Sequence, residues 1–201
     1  MGKRASKRQG VLAALGLATF AGTAFAGQVS DGLSREQNWA VLYASVVGTS
    51  YYADSLPVSY DFPRTLTAVL AQESSLCQHK RGMDKTSHGC GQVRKPAAKL
   101  VNGKTVTAHA LQHNDSFNIR TAARYLAYCM QQMSSWDRGV VCYNKGPSRA
   151  RAMSEQDVQQ DGYLNSVRRR MHEAENLITR AKLPTAVSPK PATVTRTSGL
   201  R

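Results

Sequence analysis

Apolar positions recur at helical spacing along most of this chain, and polar punctuation separates the runs. Ser34-Arg35-Glu36-Gln37 has the form of a capping box, with Ser at the N-cap and Gln three residues on. It predicts a helix to about Val47 carrying Trp39, Leu42 and Val46 on one stripe, followed by a connection from Gly48 to Tyr60 broken at Pro57. Asp61 reads as the N-cap of a second helix, with Pro63 in its first turn and Leu66, Val69, Leu70 and Glu73 following. Periodicity is lost from Ser74 to Gln92, where Gly82, Gly89 and Gly91 mark turns and a small β-hairpin is expected. A short helix over Pro96–Val101 precedes a turn at Asn102–Thr107. Asp115 or Ser116 is expected to cap a longer helix with Ile119, Ala122, Ala123, Leu126, Met130 and Met133 inward. Asp137 is expected to cap a short helix through Val140, Val141 and Tyr143, ended by Gly146-Pro147. The last helix spans roughly Asp161–Lys182. The fold class is therefore mainly α (α+β), a helical domain with at most a small β-hairpin.

Both ends fall outside that pattern. Lys3, Arg4, Lys7 and Arg8 precede an apolar run over Val11–Phe20, and Ala24-Phe25-Ala26 has the form of a cleavage site. Residues 1–26 are read as a secretory signal peptide, with a transient membrane anchor as the variant reading. Residues 27–60 form an N-terminal helix and connection, residues 61–182 the main domain, and residues 183–201, proline-bearing and acid-free, a flexible basic tail.

Composition changes the picture in two ways. The formal charge is +14, and the apolar leader carries four of those positive charges and no acid. Most of the excess therefore lies in the folded part and favours polyanionic partners: nucleic acid, anionic lipid or an acidic cell wall. Cys77, Cys90, Cys129 and Cys142 fit an oxidising compartment. Their spacing favours two local disulfides, although four cysteines allow three connectivities. Cys77-x-His79 and His88-x-Cys90 offer a metal alternative, but the usual zinc spacing between paired cysteines is missing. No metal and no cofactor is expected.

Leu66, Leu70 and Glu73 share one helical face. A carboxyl group at the C-terminal end of an apolar stripe meets desolvation and the negative end of the helix dipole, and both raise its pKa. A raised carboxylic acid is what general-acid chemistry near neutral pH requires. A glutamate that merely frays outward is the plainer alternative. Against it, Glu73 is the sole glutamate between Asp61 and Ser154 in a segment rich in basic residues.

The surroundings of Glu73 carry a resemblance. Glu73-Ser74 ends a helix, and Gly89-Cys90-Gly91-Gln92 follows a polar loop. Asn118-Ile119 and Tyr125-Leu126 lie on one later helix, and Cys142-Tyr143-Asn144-Lys145-Gly146-Pro147 and Tyr163-Leu164-x-x-Val167 come after. In order and spacing this resembles the catalytic domain of soluble-type lytic transglycosylases, whose fold is lysozyme-like. The family's Gly-Leu-Met-Gln stands here with Cys-Gly in place of Leu-Met, and its Ala before Tyr is Cys142, which a bridge to Cys129 would explain.

The resemblance implies an enzyme that cuts the β-1,4 bond between N-acetylmuramic acid and N-acetylglucosamine, with a 1,6-anhydro product. Glu73 would be acid and then base, and Tyr143 would hydrogen-bond it. Ser74, Gln92 and Asn144 would orient the glycan or brace the loop. The implied partner is the glycan strand of peptidoglycan, in the periplasm or cell envelope, in the service of a secretion, conjugation or virion machine. No specific nucleic acid is expected. The alternatives are a hydrolytic muramidase such as a phage endolysin on the same fold, and a non-catalytic binder of glycan or nucleic acid.

Overall fold

The structure, a computed structural model, describes residues 32–56 and 60–181. The signal-peptide and tail segments lie outside the described residues, as does Pro57. In chain order the elements are α1 (Arg35–Ser55), α2 (Phe62–Ser74), β1 (Ser87–His88), β2 (Val93–Arg94), α3 (Lys95–Asn102), α4 (Ala108–His113), α5 (Asp115–Gln132), α6 (Trp136–Lys145), α7 (Pro147–Ala152), α8 (Glu155–Gln159) and α9 (Gly162–Arg180). The fold is mainly helical, with the two short strands paired antiparallel, Ser87 opposite Arg94 and His88 opposite Val93.

Helix α2 is the central element. Asp61 caps it from a left-handed backbone, accepting from the Arg64 amide, with Pro63 in the first turn. Phe62, Leu66, Val69 and Leu70 are fully buried. Each such side chain contributes about 1.5–3 kcal/mol by leaving water. The same core takes in Val41 and Ala44 of α1, Ile119, Ala122 and Leu126 of α5, Val140 and Val141 of α6, and Leu164 and Val167 of α9. The α5 face follows the expected stripe throughout, from Ile119 to Met133. Polar ties fix the relative rotation of the helices: Trp136 Nε1 donates to Thr65 Oγ1 at 3.0 Å, and Arg64 Nε to the Met171 carbonyl at 2.7 Å.

Four local expectations are corrected. Helix α1 does not stop near Val47; it continues through Gly48 to Ser55. Gly48 is no turn residue, because a Cβ there would lie 2.6 Å from Pro63 Cα. Glycine is what lets α1 approach the start of α2 so closely. The buried stripe of α1 is accordingly Ala40, Val41, Ala44 and Val47, while Val46 is 69% exposed. Trp39 instead stacks on Tyr43 at the edge of the core, 5.0 Å between rings. The caps of α5 and α6 are Asn114 and Ser135, in place of Asp115 or Ser116 and of Asp137. Each cap stands just ahead of the predicted one, and its side-chain oxygen accepts from the amide three residues on. Helices α4, α7 and α8, at five or six residues, are too short to show a periodic stripe, and the sequence did not signal them.

Candidate active site at the end of α2

Glu73 is the penultimate residue of α2. Beyond it Ser75, Leu76 and Cys77 all have positive φ, at 52°, 58° and 72°. Three successive non-glycine residues in this region are costly, at about 1 kcal/mol or more each. The turn is held by specific bonds. The Ser74 hydroxyl, itself buried, donates to the Cys90 carbonyl at 2.6 Å and accepts from the Cys77 amide at 2.8 Å. A disulfide joins Cys77 to Cys90, so the segment leaving α2 is bound covalently and by hydrogen bonds to the hairpin turn. The second disulfide, Cys129–Cys142, pins α5 to α6. Both local pairings expected from spacing are formed, and the cysteine thiols of the metal alternative are consumed in them.

The hairpin turn is braced from the other side by Asn118 of α5. Its Oδ1 accepts from the Gly91 amide at 2.7 Å, and its Nδ2 donates to the carbonyls of His88 and Leu111 at 2.8 and 3.0 Å. Gln92 Nε2 donates to the Gly89 and His79 carbonyls, so this side chain ties the turn together. Gly91 is confined: a Cβ would meet Ala122 Cβ at 2.5 Å and the Tyr143 hydroxyl at 2.9 Å. The departure from Leu-Met to Cys-Gly is thereby explained on both positions. Cys90 is in the crosslink, and position 91 has no room for a side chain.

The tyrosine beside Glu73 is not the one expected. Tyr143 donates to the Gly91 carbonyl at 2.7 Å, so its proton is committed to the turn. Tyr163, in the first turn of α9, donates to Glu73 Oε1 at 2.5 Å. Asp161 places it by capping α9 through the Leu164 amide, and Lys145 pairs with Asp161 at 3.0 Å. Sequence reasoning missed Tyr163 as a site residue because ninety positions separate it from Glu73. The available signal was its place at the head of the closing-helix pattern. Asn118 likewise stands in a motif whose pattern does not signal its role. Asn144 is exposed on the last turn of α6, and the structure brings it no contact to Glu73.

The electrostatics favour a neutral carboxyl group. Burial pushes the pKa of Glu73 up to about 7, against smaller lowering effects of the Tyr163 hydrogen bond and the Arg94 guanidinium; the Asp84 charge adds a small rise. Burial also holds both tyrosines well above 10, so each remains a hydrogen-bond donor. Asp84 behaves in the opposite way. It accepts from the Thr86 hydroxyl and amide and from Ser87, and it pairs with Arg94 at 2.9 Å. Hydrogen bonds from Thr86 and Ser87 hold its carboxyl far below the usual range, which makes it a poor proton acceptor. A separate cavity of about 460 Å³ opens beyond this site between α6, α7, α8 and α9, lined by Lys145, Arg149, Met153, Asp157 and Asp161. Glu73 is not among its lining residues.

The sequence profile of the transglycosylase SLT domain matches residues 59–165. No curated protein matches the chain. The matched stretch takes in α2 with Glu73, the hairpin, α5 with Asn118, α6 with Tyr143 and the head of α9 with Tyr163. On its fold, its site and this match, the chain belongs to the transglycosylase SLT domain family, whose lysozyme-like domains act on peptidoglycan.

Proposed function

We propose that the protein is a peptidoglycan lytic transglycosylase and that Glu73 is its one catalytic carboxyl group. The observation that carries this reading is a partly buried glutamic acid with a pKa of about 7, held by a tyrosine at one oxygen. Because Oε1 accepts from Tyr163, the acid proton belongs on Oε2. From there it would pass to the glycosidic oxygen as the bond to the muramoyl anomeric carbon breaks, with the substrate's N-acetyl carbonyl assisting. The resulting carboxylate would take the proton of the muramoyl 6-hydroxyl as that oxygen closes onto the anomeric carbon. Glu73 returns to its acid form, and no water is consumed. Glycosidases that use two carboxylates need the second as base or nucleophile; Asp84, tied down by four hydrogen bonds and Arg94, is poorly suited to that work. Within this scheme Tyr163 is a positioning residue, and Ser74, Gln92, Asn118 and Tyr143 shape the turn that faces the acid.

The reading places the enzyme outside the cytoplasm. The two disulfides agree with an oxidising compartment, and residues 1–26 supply the export signal. A compact glycan-cutting domain suits local opening of the wall for a secretion, conjugation or virion machine. The test is wall clearing by purified protein: the wild type clears sacculi, and Glu73→Gln, nearly isosteric, loses about 100-fold or more of the rate. Equal clearing by the two proteins refutes the assignment of Glu73.

A further inference from the structure

Charge is distributed unevenly over this molecule. On the α6, α8 and α9 side, basic and acidic groups are interleaved: Arg138 pairs with Glu155, Lys145 with Asp161, Arg168 with Asp137 and Arg170 with Glu173. Between Asp84 and Asp115 the chain has no acid at all, but carries Lys85, Arg94, Lys95, Lys99 and Lys104. This stretch forms β1, β2, α3 and α4, and among the described residues no ion pair involves α3 or α4. Lys95, Lys99 and Lys104 are exposed, and Lys95 and Lys99, one helical turn apart, project from the same side of α3. On neighbouring α5 the Arg120 guanidinium donates to the Tyr43 hydroxyl at 2.7 Å. The result is a one-sign face beside a face whose charges are interleaved and largely paired.

Its position gives it a purpose. Lys95 follows Arg94 directly, and Arg94 closes the hairpin whose turn is bonded to the segment leaving Glu73. The positive face is therefore continuous with the wall of the site. We propose that α3, with Lys95, Lys99 and Lys104, is a docking surface for the carboxylate-bearing peptide side chains of peptidoglycan. This rests on the glycan-cutting reading given above. Flexible, hydrated ammonium groups suit carboxylates that recur at irregular positions along a strand, whereas a single fixed anion would call for the planar fork of arginine. Leu100, 52% exposed, is the one large apolar side chain exposed on α3, too little to anchor the helix in a bilayer.

The test uses the full chain carrying Glu73→Gln, so that the wall is bound and not cut. Binding is measured by co-sedimentation with intact sacculi and with sacculi stripped of peptide side chains by an amidase. The proposal expects at least tenfold weaker binding to stripped sacculi. It expects the triple variant Lys95→Glu, Lys99→Glu, Lys104→Glu to lose at least tenfold on intact sacculi and nothing on stripped ones. A control with the same change in net charge, Arg151→Glu, Arg169→Glu, Arg180→Glu, is expected to lose less than twofold. The proposal is overturned if both triple variants lose equally, or if the lysine variant binds intact sacculi as before. It is also overturned if anionic phospholipid vesicles or single-stranded DNA bind more tightly than sacculi through the same lysines. Failure of the glycan-cutting reading looks different: no binding to either preparation of sacculi, and no cleavage by the wild type.

Discussion

A carboxylic acid with a pKa near 7 makes definite demands on pH. The working acid must be protonated at the start of the cycle, so the rate of wall cleavage is expected to fall as pH rises through about 7. The Tyr163 hydrogen bond lowers the Glu73 pKa, so Tyr163→Phe is expected to move that limb upward while lowering the rate about tenfold through lost positioning. Tyr143→Phe, which removes a bond to Gly91, is expected to leave the limb close to its wild-type position. A pH–rate profile of the two variants separates the roles, and an unmoved limb in Tyr163→Phe would contradict the assignment. Stability carries the same signature with a definite sign. Glu73 binds its proton more tightly folded than unfolded, so its presence costs nothing below about 4.5. Above about 7 it destabilises the fold by up to about 3 kcal/mol. Glu73→Gln is therefore expected to match the wild type at pH 4 and exceed it at pH 8, as read from urea unfolding at the two pH values.

Among the elements, the loop between α2 and α3 depends most on single residues. Asn118 bonds the Gly91 amide and the carbonyls of His88 and Leu111 with one side chain. Asn118→Leu removes all three bonds and is expected to cost about 3 kcal/mol and to depress cleavage, both measurable on the purified variant. Gly48→Leu is expected to destabilise by forcing α1 off Pro63, at about 1–3 kcal/mol, with little change in the pH–rate profile. The helices that bear the site were legible in the sequence because their apolar stripes are long: α2, α5 and α9 stand nearly where periodicity placed them. Around α1 the pattern misled, since small residues and an interior glycine bury its face and leave Val46 in water. The Asn114 and Ser135 caps were misplaced because Asp115, Ser116 and Asp137 are equally competent N-cap types; only the backbone decides among neighbours. That Glu73 would be a buried carboxyl group with a raised pKa was legible from its place on the stripe. Its hydrogen-bond partner was not, since Tyr143 and Tyr163 both sit in motifs and only the packing of α9 against α2 chooses between them.

Over the whole molecule, a basic, twice-crosslinked helical domain brings elements far apart in the chain together at one site. Residues at the end of α2 and the start of α9 meet there, with the disulfide-bound turn between. Each crosslink closes a short loop and is expected to contribute about 3 kcal/mol. The two differ in what else they do. Replacing Cys129 and Cys142 together by Ser is expected to lower stability with cleavage largely kept at low temperature. Replacing Cys77 and Cys90 releases the left-handed turn after Ser74 and is expected to lower both. Charge at this scale was visible as an excess in the sequence, but its division into a paired face and a one-sign face was not, because pairing is a matter of spatial neighbours.

The central claim is that Glu73 performs both proton transfers of a cut that consumes no water. It is tested most directly by mass spectrometry of the muropeptides released from sacculi in ¹⁸O-labelled water. The account predicts 1,6-anhydro-muramoyl ends, lighter by one water than reducing ends and free of label, and none of them with Glu73→Gln. Reducing muramoyl ends carrying the label would contradict it and make the protein a hydrolase on the same fold.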